Sequence, residues 1–146
     1  MIKLIVALLA LVYSLASIAA DKGNYGSLIV DEVTSIYDAD TFRVNVKSWP
    51  PIIGERMSIR ANGFDAPEIR GKCQEEKEGA QRAKQLTVNA LRNAEVIELR
   101  NMQRGKYFRI IADVYVDGKS LTDMHIAAGT ARPYSGGKRE GWCPKG

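Results

Sequence analysis

Alternation of apolar and polar positions is the first regular feature along the chain. Residues 28–47 have a strand-like pattern, which is clearest where apolar side chains occupy every second position at Phe42, Val44 and Val46. Residues 48–55 contain two prolines and a glycine, and we expect them to form a loop. The alternation resumes from Met57 to Ala61, which predicts a second strand with one buried face.

A different period marks the middle of the chain. Over residues 75–93 small and apolar side chains recur at helical spacing, while charged and amide side chains fill the other side. This pattern predicts an amphipathic helix. Strand patterns return at 96–99 and 110–116, and the dipeptide Asp117-Gly118 marks a turn after the second of them.

The last element that the pattern predicts is a short helix. Ser120, followed three residues later by Asp123, resembles a capping box, and the helix is expected to end near Gly129. Strands dominate the first half of the chain and do not alternate with helices in β-α-β order. A small barrel with attached helices, mainly β in an α+β class, therefore fits better than a parallel sheet.

The first 20 residues have the layout of a secretory signal. Lys3 precedes an apolar run from Leu4 to Val12, and cleavage is expected after Ala19 or Ala20. A membrane anchor is the alternative, but the apolar run is short for a span. We therefore expect a periplasmic or secreted protein that has no membrane association after the signal is removed.

Length and charge restrict the mature part further. Residues 21–146 have the length of a single domain, with a tail from about residue 135. Lysine and arginine number 21 against 17 acids, and removing Lys3 with the signal takes the net charge from +4 to +3. This mild excess suits an anionic partner such as nucleic acid, although it is also common among ordinary soluble proteins.

The two cysteines are Cys73 and Cys143. In an oxidising compartment an even number favours one disulfide, and two free buried thiols are the alternative. Two cysteines and a single histidine do not complete a zinc site on their own.

Four carboxylates cluster around two predicted turns. Asp38 and Asp40 lie just before a strand, and Asp65 and Glu68 follow another. Carboxylates that are crowded together repel one another unless a cation lies among them, and Ca²⁺ takes oxygen ligands of this kind. The proline between Asp65 and Glu68 restrains Ala66 towards an extended conformation, which could turn its carbonyl to the same ion. Each motif taken alone also fits ordinary turn chemistry.

Two arginines accompany the acids. Arg60 lies on the strand that leads to the Asp65 turn, and Arg109 precedes the strand at 110–116. A planar guanidinium binds phosphate oxygens two at a time, so a pair beside a metal suits a phosphodiester whose charge grows in the transition state. Solvated arginines at strand edges are the ordinary alternative.

The motifs taken together resemble one family. In order, they are D-x-D-T at 38–41, R-x₄-D-x-P-E at 60–68, K-Y-x-R at 106–109 and Y-x-D-G at 115–118. In order and spacing this set resembles the staphylococcal nuclease family over about residues 29–134. The resemblance implies a five-stranded OB-fold barrel with two or three helices, acting as a monomeric Ca²⁺-dependent endonuclease on DNA and RNA that leaves 3′-phosphate products.

The resemblance also implies a ligand set for Ca²⁺. Asp40, Asp65 and the carbonyl of Ala66 would bind the ion directly, with Asp38 close by through water. The family's usual residue between the two aspartates of the first motif is glycine, and here it is Ala39.

Catalytic and substrate-binding roles follow from the same likeness. Glu68 would act as general base on the attacking water, or at least orient it. Arg60 and Arg109 would bind the scissile phosphate and stabilise the transition state. Tyr107, with Lys106 beside it, would hold the flanking phosphate of the nucleotide or stack on its ring.

The end of the chain departs from the family pattern. The long last helix of the staphylococcal enzyme is missing, and a glycine-rich tail takes its place. We expect Cys143 to tie this tail to Cys73 near the active-site loop, and Tyr134 matches the nucleotide-stacking tyrosines only roughly. His125 lies alone among apolar residues, which is more typical of a packed side chain than of a base.

Two other classes of protein fit part of the pattern. A catalytically inactive OB-fold module that binds single-stranded nucleic acid gains nothing from four acids facing phosphate. An exported Ca²⁺-binding adhesion or structural module explains the acids but leaves the arginines without a role.

Overall fold

The computed structural model describes residues 23–145, so the expected signal at 1–20 lies outside the described residues. The elements are β1 Leu28–Ile29, β2 Glu32–Ile36, β3 Thr41–Asn45, α1 Pro51–Gly54, β4 Met57–Ala61, β5 Phe64–Asp65, α2 Gln74–Arg92, β6 Ile97–Arg104, β7 Ile110–Val116, β8 Lys119–Ser120, α3 Leu121–Ala127 and β9 Arg132–Pro133. Among the described residues, none of the helices has the length and apolar character needed to cross a membrane.

One curled sheet has the strand order β1-β6-β7-β4-β3-β2, with β8 paired to β7. The pairing of β4 with β7 is parallel and the others are antiparallel. Consecutive strands β1 and β2 lie at opposite edges, and the residues between them continue both pairings: Val30 donates to the Ile97 carbonyl at 2.9 Å and Asp31 to the Asn45 carbonyl at 3.1 Å. Residues 28–36 therefore act as one bent strand that joins the two edges, which gives the five principal strands of the predicted OB-type barrel.

The core lies inside this barrel. Phe42, Val44, Ile59, Leu99 and Val114 are each at most 2% exposed and come from four different strands. The alternation of apolar residues along β3, β4 and β7 turns one face of each strand inwards, and full burial of each such side chain contributes about 1.5–3 kcal/mol.

Helix α2 covers one side of the barrel with its apolar stripe, which confirms the predicted amphipathic helix to within about a residue at each end. Its buried positions include Ala80, Ala83, Thr87 and Leu91. The Thr87 hydroxyl donates to the carbonyl of Ala39 at 2.7 Å. The helix therefore fixes the backbone of the turn that carries Asp38 and Asp40.

Helix α3 begins as predicted, because the Ser120 hydroxyl accepts a hydrogen bond from the Asp123 backbone at 3.2 Å. Its His125 is fully buried and stacks on Phe64, with ring centroids 4.5 Å apart. Both imidazole nitrogens have hydroxyl partners at 2.8 Å, from Thr87 and Thr130. This histidine is a satisfied core residue, in agreement with the interpretation from sequence.

Two elements differ from the sequence prediction. The expected loop at 48–55 contains the one-turn helix α1, because Pro51 occupies the first helical position, where a missing N–H costs nothing. Strand β6 extends to Arg104 instead of ending at Leu99, and its pairing with β7 shifts register between Arg100 and Gln103.

Candidate active site

The first pair of acids lies in the turn between β2 and β3. Asp40 is 5% exposed, and its carboxylate accepts a hydrogen bond from the Thr41 hydroxyl at 2.8 Å. Arg60 forms an ion pair with the same carboxylate at 2.9 Å, because Arg60 and Thr41 are register partners on adjacent strands. The Asp38 carboxylate accepts from the Asp40 backbone N–H at 3.2 Å. The sheet therefore brings Asp38, Asp40 and Arg60 together.

The second turn follows β4 and contains the remaining acids. Asp65 ends β5 and is only 4% exposed, and Ala66 beside it is also buried. Glu68 lies past the proline, and its side chain is 51% exposed. The short pairing of β5 with β9 places Asp65 opposite Arg132.

An arginine of the tail joins the two acids of this second turn. The Arg139 Nε donates to Asp65 Oδ1 at 2.5 Å, and its Nη1 donates to Glu68 Oε1 at 2.6 Å. A further guanidinium nitrogen is paired with the same Asp65 oxygen. Burial lowers the pKa of Arg139, but the negative charges of Asp65 and Glu68 outweigh it and leave the pKa above its ordinary value.

The tail is fastened in several ways next to this contact. Cys143 forms a disulfide with Cys73, which lies at the start of α2, as predicted. The Trp142 indole donates to Asp65 Oδ2 at 3.2 Å, and the Arg132 guanidinium lies 3.7 Å from the Trp142 ring centroid. The second oxygen of Asp65 is thus held by the tail as well.

A small cavity of about 20 Å³ lies among these groups, which is room for one water molecule or a bare ion. Its lining contains five of the predicted site residues and one that sequence reasoning missed: Asp38, Asp40, Arg60, Ala66, Glu68 and Arg139. Asp65 is joined to this lining through Arg139. The two turns that the sequence predicted to act together therefore meet at one point.

The loop between β6 and β7 carries three predicted site residues that do not line this cavity. Arg109 contacts the Lys106 carbonyl at 3.4 Å and lies 5.7 Å from the Tyr107 ring centroid. Tyr107 is 87% exposed and Phe108 is 57% exposed, and both have left-handed backbone at φ 57°. Arg104 lies 4.9 Å from the Phe108 ring. The loop presents two rings and three cations to solvent, a composition suited to single-stranded nucleic acid.

Tyr134 lies beside the tail. Its hydroxyl donates to the Gly137 carbonyl at 2.7 Å, and the Arg139 guanidinium lies 6.0 Å from its ring centroid. Sequence reasoning gave no role to Arg132 or Arg139. The available signal was the expected Cys73–Cys143 bridge, which already implied that the tail returns to the second turn.

One trio of potential ligands outside the site does not form a metal centre. Cys73, Cys143 and Glu76 bring ligand atoms within 4.8 Å of one another, the one such group among the described residues. The two sulfurs are bonded to each other, so neither offers a thiolate, and Glu76 accepts from the Lys72 backbone at 2.8 Å.

The crowding of acids has a measurable consequence at Asp38. Burial, followed by the negative charge of Asp40, raises the pKa of Asp38 from 3.8 to about 7. Burial has the opposite consequence for His125, whose pKa it lowers from 6.5 to about 4, although the charge of Asp40 works against it. The two groups therefore affect the free energy of unfolding with opposite signs.

These shifts predict a pH dependence that appears in the variant Asp38→Asn. The contribution of His125 to the free energy of unfolding is complete above pH 6.5. It decreases by about 1.4 kcal/mol per pH unit as the pH falls from 6.5 towards 4. Asp38 favours folding at low pH, and its contribution is lost as the pH rises from 3.8 to about 7. In the wild type the two effects oppose each other between pH 4 and 6.5.

Urea unfolding at several pH values between 4.5 and 7.5 tests this expectation. Asp38→Asn should lose stability on acidification more steeply than the wild type. Equal slopes for the two proteins would contradict the assignment of a raised pKa to Asp38.

The fold and the site together define a class of protein. A curled OB-type barrel that holds buried acids against arginines, beside a basic aromatic loop, is suited to phosphate esters of nucleic acid. The family model described as staphylococcal nuclease homologue matches residues 58–141, which is more than half of the chain. The chain therefore belongs to the staphylococcal nuclease family, which consists of nuclease-like hydrolases of nucleic acids. A search among curated proteins gives no match.

The family match covers the second acidic turn and the tail contact. It begins after Asp38 and Asp40 and ends before Cys143, so the first acidic turn and the disulfide rest on the structure alone.

Proposed function

We propose that the protein is an exported Ca²⁺-dependent endonuclease that hydrolyses phosphodiester bonds of DNA and RNA to 3′-phosphate products. The observation that supports this most directly is the cavity at which two acidic turns, Arg60 and Glu68 meet. Membership of the nuclease family supports the same activity. The disulfide supports export, because such bonds persist in oxidising compartments.

The donors at the cavity fit Ca²⁺. Asp40 and Ala66 line the cavity, Asp38 lies beside Asp40, and Asp65 is joined to the lining through Arg139. Their carboxylate and carbonyl oxygens are donors of the kind that this ion takes. Both buried carboxylates are paired with guanidinium groups, and this preference for positive charge supports a cation at the site. When bound, Ca²⁺ polarises a phosphoryl oxygen and neutralises developing charge.

The chain's own residues supply the rest of the chemistry. The half-exposed Glu68 carboxylate is accessible to water. It accepts a proton from the attacking water as the water oxygen bonds to phosphorus. The bond from phosphorus to the 5′ oxygen breaks, and that oxygen takes a proton from solvent, which leaves a 3′-phosphate. A guanidinium has five N–H donors, so Arg60 can keep its Asp40 partner and still bind a phosphoryl oxygen.

The loop between β6 and β7 is the proposed holder of the polymer. Tyr107 stacks on a base, and Lys106 and Arg109 bind backbone phosphates on either side. Tyr134, beside the tail, is a second stacking position. These contacts do not depend on the identity of the base, which is consistent with action on both DNA and RNA. The protein acts on the polymer as a monomer.

Digestion of denatured DNA and of RNA by the purified protein tests the proposal. Cleavage should occur with Ca²⁺ and stop with a chelator, and phosphatase treatment should convert the product ends from 3′-phosphate to 3′-hydroxyl. Cleavage that continues in the chelator would contradict the Ca²⁺ requirement. Tight binding of single strands without cleavage would instead identify an inactive OB-fold binding module.

A further inference from the structure

The tail contact at Glu68 has no role in the activity proposed above. Glu68 lies in an exposed turn, where a free side chain would sample several rotamers, and Arg139 binds its Oε1 at 2.6 Å. The same guanidinium binds Asp65 at 2.5 Å, and Asp65 is buried and also held by Trp142 through its second oxygen. Arg139 thus links a mobile type of side chain to a fixed one.

The position of Arg139 is itself strongly determined. Four residues further on, Cys143 is joined covalently to Cys73. The carbonyls of Glu140 and Gly141 lie between Arg139 and Cys143. They accept hydrogen bonds from Arg132 at 3.0 and 3.1 Å. Trp142 donates to Asp65 at 3.2 Å. A segment that is held at several points directly after Arg139 delivers the guanidinium to one place.

We propose that Arg139 is a positioning residue for the reaction: it fixes the Glu68 carboxylate in the orientation from which it accepts the proton of the attacking water. This inference rests on the proposed nuclease function. A planar fork matches two carboxylates at once, which a lysine ammonium on a flexible stem does not reproduce. Correct orientation of a base is a large part of its effect on rate.

In the opposite role, Arg139 would obstruct Ca²⁺ binding, and its removal would then speed up cleavage. At Asp65, Oδ1 faces two nitrogens of Arg139, whereas Oδ2 accepts one hydrogen bond, from Trp142, and keeps a lone pair for a further ligand. Arg132 and Trp142 also hold this carboxylate independently of Arg139. Loss of Arg139 should therefore leave Ca²⁺ binding intact, or strengthen it by removing a nearby positive charge.

The test compares Arg139→Ala and Arg139→Lys with the wild type. Lys138→Ala is the matched control, because Lys138 is an exposed neighbour in the same tail. For Arg139→Ala we expect kcat on denatured DNA to fall about 10–100-fold, which is typical for loss of a group that orients a reactive one, with KM within about threefold. Arg139→Lys should recover part of the loss, and added guanidinium ion should partly restore Arg139→Ala alone.

Calorimetric titration with Ca²⁺ provides a readout that does not depend on turnover. Arg139→Ala should bind Ca²⁺ as tightly as the wild type or more tightly, while its kcat is lower. Weaker binding together with a lower kcat would indicate a general structural role and overturn the inference. Faster cleavage by Arg139→Ala would overturn it in favour of obstruction.

The wild-type arm separates the two proposals. A wild type that cleaves, with Arg139→Ala equally active, overturns the positioning role and leaves the nuclease function standing. A wild type that does not cleave overturns the nuclease function itself, and the inference with it.

Discussion

Replacing Glu68 by glutamine should lower kcat for denatured DNA by about 10²–10⁴-fold, the range that general base catalysis contributes. Glutamine has nearly the same shape and keeps an oxygen that can accept the hydrogen bond from Arg139, but it cannot take a proton from water. Because Glu68 is half exposed, the substitution should leave folding intact. The loss should therefore appear in kcat, with KM almost unchanged.

Single-turnover cleavage with Ca²⁺ in excess measures this effect without interference from product release. Glu95→Gln is the control. Glu95 is an exposed carboxylate that follows α2, and its substitution makes the same change of charge away from the cavity. An undiminished rate for Glu68→Gln would remove Glu68 from the role of base. An equal loss in both variants would point to net charge instead of proton transfer.

The double variant Cys73→Ser, Cys143→Ser should lose about 4 kcal/mol of unfolding free energy. The bridge spans 70 residues, and closing a loop of that size restricts the unfolded chain by about this amount in the chain-entropy model. For a domain of this length the expected fall in Tm is about 15 °C. Helix α2 begins directly after Cys73, and Cys143 lies in the tail. Loss of the bridge therefore also frees the segment that carries Arg139.

Chemical unfolding of the oxidised wild type, the reduced wild type and the double variant measures the contribution. Reduction should destabilise the wild type to the level of the double variant and should leave the double variant unchanged. If reduction left the wild type fully stable, the bridge would make no contribution and the noncovalent contacts of the tail would be sufficient.

Much of the fold could be predicted from the sequence because it is governed by local patterns. Strand β7 and helix α2 have long runs with a single period, and each was located to within about a residue. Helix α1 was missed because two adjacent prolines indicate a loop as readily as they indicate a helix start. The bend at residues 30 and 31, which joins the two edges of the sheet, depends on pairings that no local pattern reveals.

The candidate site could also be predicted from the sequence only in part. Asp40 and Arg60 meet because they lie at the ends of paired neighbouring strands, and the spacing of the motifs reflects that arrangement. Arg139 reaches Asp65 across 74 positions, and a contact at that distance depends on the folded tail as a whole. Arg109 lies outside the cavity lining, and its predicted contact with the scissile phosphate stays a prediction.

The loop between β6 and β7 has a consequence for attempts to engineer heat resistance. Tyr107 and Phe108 both have backbone angles that cost an ordinary residue about 1–2 kcal/mol and glycine almost nothing. Selection for thermal tolerance alone would favour glycine at both positions and would delete the two most accessible rings of that loop. A screen that retains only heat-resistant clones would thus tend to remove the aromatic surface that we propose to bind the polymer.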